Sequence, residues 1–167
     1  MASEQTVRSA DRMAAAMHES GHCVASVIFG PGIERAVLTP NNRHHAGFTE
    51  HNNRPDAVGM HPLITAAGPM AEARHRFGPR PTQRQVFAVL DVNSHDYATP
   101  RASGNPSPTD AAPLLDRCWT AVIELARVLD ERGEIGEGDV LAALRVPPGD
   151  AETRYLTELR SGYRAVS

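Results

Sequence analysis

The chain has 167 residues, 41% of them hydrophobic and 22% charged, with a formal net charge of -3. This length is typical of one globular domain, and the start of the sequence lacks the apolar segment of a signal peptide, so we expect a cytoplasmic protein without a membrane segment. All 17 basic residues are arginine. Without lysine no Walker A phosphate loop is expected, and the near-neutral charge disfavours a nucleic-acid surface.

The first predicted elements are one long helix and two strands. The helix is expected over residues 9–29, which are rich in alanine and methionine, and the sequence GPG at 30–32 should end it. The strands are predicted at 33–40 (IERAVLTP) and 45–51 (HAGFTEH). We expect these two strands to pair in the antiparallel sense.

The middle of the chain combines one helix with two irregular segments. The helix is predicted over residues 56–77, where a run of small residues indicates close packing against another helix. Residues 78–85 are expected to form a loop, and the pattern at 86–98 is ambiguous. Residues 99–113 contain four prolines and are predicted to form a long loop.

The last third of the chain is predicted to be helical. Residues 113–132 have a clear amphipathic pattern, and a shorter helix is expected at 137–144. The C-terminal segment, 146–167, should contain a final exposed helix at 150–160. The resulting fold class is mainly α with a small β-hairpin or sheet (α+β). The first helix is expected to pack in a helical bundle within a single domain, 1–167.

The first helix contains the sequence HESGH at residues 18–22. His18 and His22 are four residues apart and share one helix face, so both imidazoles can bind the same metal ion. Glu19 is turned about 100° around the helix axis, which places it beside the metal without binding it. This is the HExxH pattern of zinc peptidases, in which zinc activates a water molecule and the glutamate is the general base.

The sequence around this motif resembles the FtsH-type peptidases, the proteolytic half of membrane-bound AAA proteases. MHESGHCVAS resembles the HEAGH helix of that family, and ITAAGPMAEARHRFG resembles its LAGRAAEELIFG helix. The strand pair, VNSHDYAT (similar to GASNDLQQAT) and the closing helices follow in the same order, so the resemblance spans roughly residues 12–145. The fold it implies is a zincin-like HExxH helix within a helical bundle.

The resemblance also implies a zinc site (Zn2+) and roles for individual residues. His18 and His22 would be zinc ligands, Glu19 the general base and Asp96 the third protein ligand. The sequence before Asp96 departs from the family pattern, so Asp91 and His95 are alternative third ligands.

Glu72 is a further alternative third ligand, because other zinc peptidases use a glutamate from a later helix. We interpret it instead as a carboxylate that orients a ligand histidine.

The family binds its substrate along an edge strand beside the zinc helix, by β-augmentation. The resemblance therefore implies that Ala46, Gly47, Phe48 and Thr49 bind a peptide or protein substrate. The implied activity is zinc-dependent, ATP-independent cleavage of peptides or flexible protein segments, since the AAA module is missing. The alternatives are an HExxH protease that processes one regulator and a catalytically silent binding module.

Two smaller predictions concern single residues. Cys23 and Cys118 are far apart in sequence and are interpreted as buried free thiols. His51, together with His44 and His45, is interpreted as an exposed loop histidine.

Overall fold

The computed structural model describes residues 4–39, 47–52, 61–92 and 107–167. They form a mainly helical fold with one three-stranded antiparallel sheet, so the predicted α+β class is confirmed. In chain order the elements are α1 (Glu4–Phe29), β1 (Ile33–Leu38), β2 (Gly47–His51), α2 (Pro62–Phe77), α3 (Gln83–Val92), a 3₁₀ turn (Pro108–Ala111), α4 (Ala112–Arg132), β3 (Glu134–Gly136), α5 (Glu137–Ala143) and α6 (Ala151–Ser161).

Helix α1 lies at the centre of the fold. From Ala14 to Ile28 almost every side chain is at least partly buried, as expected of a helix that other elements enclose. It packs against α2 and α4 and also contacts the sheet. The predicted helix is confirmed, but it begins at Glu4 and not at residue 9.

The sheet has the order β2-β1-β3, which leaves β2 at one edge. Ala36 in the middle strand lies opposite Thr49 of β2 and Ile135 of β3. The predicted antiparallel pairing of the first two strands is confirmed. The third strand was not predicted, because three residues are too few to produce a recognisable alternation.

The face of the sheet that points inward carries small and apolar residues. Ala36 and Leu38 are buried, and their partners on β2 are Thr49 and Gly47. Because residues directly opposite each other share a face, Thr49 and Gly47 point towards α1. Phe48 alternates with them and is 42% exposed on the other face.

Helix α2 begins later than predicted. Pro62 occupies its first turn, and the side chain of His61 accepts a hydrogen bond from the backbone N–H of Leu63, an N-cap arrangement. The helix continues through Pro69 and ends at Gly78, whose φ of 98° favours glycine. Residues 56–60 of the predicted helix lie outside the described residues.

Two predicted loops are partly helical. Residues 83–85 belong to α3, which continues through the ambiguous segment as far as Val92. The end of the predicted proline-rich loop forms the 3₁₀ turn, and α4 already begins at Ala112. Helix α3 is short, and α4 starts in a proline-rich segment. The glycine and proline residues near their starts therefore indicated loops.

The later helices agree with the sequence to within a residue or two at most ends. Helix α4 ends at Gly133, which adopts the left-handed conformation with φ 81°. Helix α6 is mostly exposed, as predicted, although its Leu159 is fully buried. Among the described residues, no helix is both long enough and apolar enough to cross a membrane.

Candidate metal centre

Two histidines of α1 meet at the interface with α2. The Nε2 atoms of His18 and His22 are 3.1 Å apart, and the rings cross edge to face with an interplanar angle of 69°. The four-residue spacing places the side chains on successive turns of the same face. The two imidazoles therefore converge on one point.

Each ring is anchored at its other nitrogen by an acceptor on α2. His18 Nδ1 is 2.9 Å from Oε2 of Glu72, and His22 Nδ1 is 2.7 Å from the backbone carbonyl oxygen of Ile64. A carbonyl oxygen can only accept, so Nδ1 of His22 carries the proton and donates it. An ionised carboxylate can also only accept, so Nδ1 of His18 carries a proton and donates it to Glu72. Both Nε2 atoms then present a lone pair.

Glu72 is held in its ionised form. Burial raises its pKa, but the hydrogen bond from His18, and then the hydrogen bond and charge of Arg76, outweigh burial and hold the pKa below its usual range. Arg76 Nε donates to Oε1 of Glu72 at 2.8 Å, while Oε2 receives the bond from His18. The carboxylate is therefore fixed from both sides and orients the His18 ring.

The helices α1 and α2 approach closely because glycines face the contact. A Cβ at Gly21 would lie 2.5 Å from the carbonyl oxygen of Ala67, and a Cβ at Gly68 would overlap the His22 ring. The small residues of α2 therefore have the packing role that the sequence indicated.

Glu19 points to the sheet and not to α2. Thr49 Oγ1 donates a hydrogen bond to Glu19 Oε2 at 2.7 Å, and Glu19 is 8% exposed. A Cβ at Gly47 would lie 2.9 Å from Glu19 Cγ, so this part of β2 lies directly against the carboxylate side chain. The motif thus has its histidines on one side and its glutamate on another, as the 100° rotation between neighbouring residues requires.

Cys23 of α1 also contacts β2. Cys23 Sγ lies 3.7 Å from Thr49 Oγ1, and burial raises the pKa of the Cys23 thiol far above its usual range. Cys23 and Cys118 are both buried and free, as predicted. Burial also raises the pKa of Cys118, to about 11, so both thiols are protonated at neutral pH.

His51 differs from its prediction as an exposed loop residue. It is the last residue of β2 and is partly buried. Ser26 Oγ donates to the carbonyl of Gly32 at 2.8 Å and is 2.9 Å from His51 Nδ1, which therefore donates to it. Burial lowers the pKa of His51 to about 4.

The residues predicted for the site fall into two groups. Those in described segments are His18, Glu19, His22, Gly47, Phe48, Thr49 and Glu72. Ala46, His95 and Asp96 lie outside the described residues, and Asp91 is described only as backbone in α3. Within the described ranges, no third His, Cys, Asp or Glu joins His18 and His22 in a group that could hold a metal ion.

Two contributors to the site were missed at the level of sequence. Arg76 lies one helical turn after Glu72, and this spacing of opposite charges could have revealed the pair. The acceptor for His22 is the backbone carbonyl of Ile64, for which no side-chain pattern gives a signal.

Comparison with protein-family models and with curated proteins finds no match for this sequence.

Proposed function

We propose that this protein is a zinc-dependent, ATP-independent endopeptidase of the FtsH type, with His18 and His22 as metal ligands and Glu19 as the general base. The observation that carries the proposal is the 3.1 Å separation of the two histidine Nε2 atoms while both Nδ1 atoms are bonded to α2.

A metal ion accounts for this separation. With the proton of each ring on Nδ1, two lone pairs meet at Nε2, and a metal ion or a shared proton between them makes the contact favourable. In tetrahedral coordination with Zn–N bonds of ~2.0–2.1 Å, two ligand nitrogens are about 3.3–3.4 Å apart. The observed distance is close to this value, and carboxylate or carbonyl acceptors behind ligand histidines are typical of zinc sites. The donor set therefore fits zinc.

Glu19 fits the role of base because of its position and contacts. When bound, zinc supplies Lewis-acid activation of water near neutral pH. Glu19 accepts the proton that the attacking water loses and returns it to the amine of the departing peptide segment. Its carboxylate is nearly buried and one oxygen is held by Thr49, so the other oxygen is available for this transfer.

The position of Glu72 favours this family over a regulator-processing protease whose third ligand is a glutamate. The Glu72 carboxylate contacts Nδ1 of His18, on the side of the ring opposite to Nε2. It is also bonded to Arg76. From there it orients a ligand and does not bind the metal, so we assign the third ligand to Asp96, with Asp91 and His95 as the alternatives.

An extended peptide is the substrate class that the sheet supports. Strand β2 is at the sheet edge and lies against the zinc helix. Peptide backbone can add to such an edge by hydrogen bonding, which selects extended and flexible segments. Gly47, Phe48 and Thr49 would line the bound strand together with Ala46.

The test measures zinc content and cleavage of casein and of an unstructured peptide in the same preparations. Wild type should carry about one zinc per chain, His22→Ala should lose it, and Glu19→Gln should keep zinc without cleavage. His75→Ala is the matched control, because His75 is an exposed histidine of α2 and should leave both properties unchanged. A wild type that binds no zinc after reconstitution would refute the proposal and indicate that a shared proton joins the histidines.

The same assays identify the third ligand. Asp96→Ala should lose zinc, whereas Asp91→Ala and His95→Ala should retain it. Loss of zinc in one of the other two variants, with retention in Asp96→Ala, would reassign the ligand.

A further inference from the structure

The side chain of Thr49 makes a contact that peptide binding by the strand backbone does not require. Its hydroxyl has one proton, and that proton is donated to Oε2 of Glu19 at 2.7 Å. Among the described residues, no donor bonds the other carboxylate oxygen of Glu19. One oxygen of the proposed base is therefore fixed, while the other is free to exchange a proton.

The hydroxyl oxygen of Thr49 has a second neighbour on α1. Cys23 Sγ is 3.7 Å from Thr49 Oγ1. Because the hydroxyl proton is donated to the carboxylate of Glu19, the hydroxyl oxygen can accept a hydrogen bond from the thiol. Hydrogen bonds in such a chain polarise one another and strengthen the last of them.

The neighbouring glycine restricts the carboxylate from a second side. Gly47 and Thr49 share the inner face of β2, and a Cβ at Gly47 would lie 3.2 Å from Oε1 of Glu19 and 2.9 Å from Cγ. Gly47 thus leaves space for the side chain of Glu19, and Thr49, the next inward-facing residue, bonds to its carboxylate. Together these two contacts restrict Glu19 to one rotamer.

We propose that Thr49 is a positioning residue for Glu19: its hydroxyl holds the general base in the orientation that takes the proton from water. This inference rests on the proposed peptidase function and adds a side-chain role to a residue assigned there only to the substrate strand. Thr49 thereby joins the base to the strand that receives the peptide.

The kinetic test compares Thr49→Val, which keeps the side-chain shape but removes the hydroxyl, with Thr49→Ser, which keeps the hydroxyl. General-base catalysis contributes about 10²–10⁴-fold, so a misoriented base should lower kcat by about tenfold or more in Thr49→Val. KM and zinc content should stay near wild type, and Thr49→Ser should recover most of kcat. Thr157→Val, the same change on exposed α6, is the control.

Two kinetic outcomes would overturn the inference. Wild-type kcat in Thr49→Val, beside an inactive Glu19→Gln, would leave the peptidase function in place and remove the role of the hydroxyl. Equal decreases of kcat in Thr49→Ser and Thr49→Val would mean that Thr49 contributes by packing and not through its hydroxyl. Absence of zinc or cleavage in wild type would instead refute the proposed function, and this role with it.

A measurement on the metal-free protein tests the contact without reference to activity. Thr49→Val, Glu19→Ala and the double variant form a double-mutant cycle in melting temperature. If the hydroxyl holds the carboxylate, Thr49→Val should lower the melting temperature less in the Glu19→Ala background than in wild type. Equal shifts in the two backgrounds would show that the two groups do not interact and would overturn the inference.

Discussion

Gly68 of α2 lies directly against the imidazole of His22 on α1, so that a Cβ at residue 68 would overlap the ring at Nε2. The same ring donates from Nδ1 to the carbonyl oxygen of Ile64, one helical turn earlier on α2. The ring therefore lies flat against one turn of α2, with no space for another carbon atom. The orientation of His22, a proposed zinc ligand, thus depends on glycine at residue 68.

Gly68→Ala should displace this ring and break its bond to α2. Inserting a methyl group into a packed contact costs about 1–3 kcal/mol of unfolding free energy, and loss of the acceptor should weaken zinc binding about 10–100-fold. Denaturant unfolding of the metal-free protein and chelator competition measure the two effects. Gly138→Ala is the matched control, because a Cβ there meets nothing within 4 Å. Zinc affinity equal in the two variants would contradict the assignment of His22.

Glu72→Gln should weaken zinc binding without abolishing it. Glutamine can still accept a hydrogen bond from His18, but it lacks the negative charge that polarises the ligand ring and pairs with Arg76. We expect a decrease of about 10–100-fold in zinc affinity, measured by chelator competition, with one zinc per chain at saturation. Glu158→Gln removes a carboxylate that pairs with two surface arginines and should change nothing at the site. Complete loss of zinc in Glu72→Gln would instead make Glu72 a ligand.

The fold could be predicted from sequence where local patterns are strong. The long amphipathic helix at Ala112–Arg132 and the pairing of β1 with β2 follow from periodicity and turn residues. Strand β3 and helix α3 could not be predicted in the same way. Their few residues give almost no periodicity, and β3 is defined by its pairing with β1, which is distant in the chain.

In the candidate site, too, the local features could be predicted from sequence and the contacts between distant residues could not. The spacing of His18, Glu19 and His22 fixes their relative directions on one helix, because helix geometry is local. The contact of Glu72 with His18 joins residues 54 apart, and sequence suggested it only through resemblance to a family. The bond between Thr49 and Glu19 depends on which face of β2 points inward, which the tertiary structure determines.

Burial of His51 should make the protein less stable in acid. Its pKa is about 4 in the folded protein, below its ordinary value of 6.5, so the unfolded chain binds the proton more readily between these two pH values. The contribution of His51 therefore leaves the free energy of unfolding unchanged above pH about 6.5 and lowers it as the pH falls towards 4. His51→Gln should show a smaller loss over this range in metal-free denaturant unfolding. His75→Gln, at an exposed histidine, should retain the wild-type slope; the same slope in His51→Gln would contradict the burial effect.

The edge position of β2 predicts that cleavage depends on the backbone of the substrate. Strand addition uses peptide N–H groups, so methylation of alternate backbone nitrogens in an unstructured peptide should raise KM strongly in one register and weakly in the other. In the disfavoured register the donors that face β2 are lost; in the tolerated register the methyl groups point away. Side chains are identical in the two peptides, so each serves as the control for the other. Equal KM values for both would mean that the substrate does not pair with β2, and that Phe48, exposed on the outer face, should be tested next as a side-chain contact.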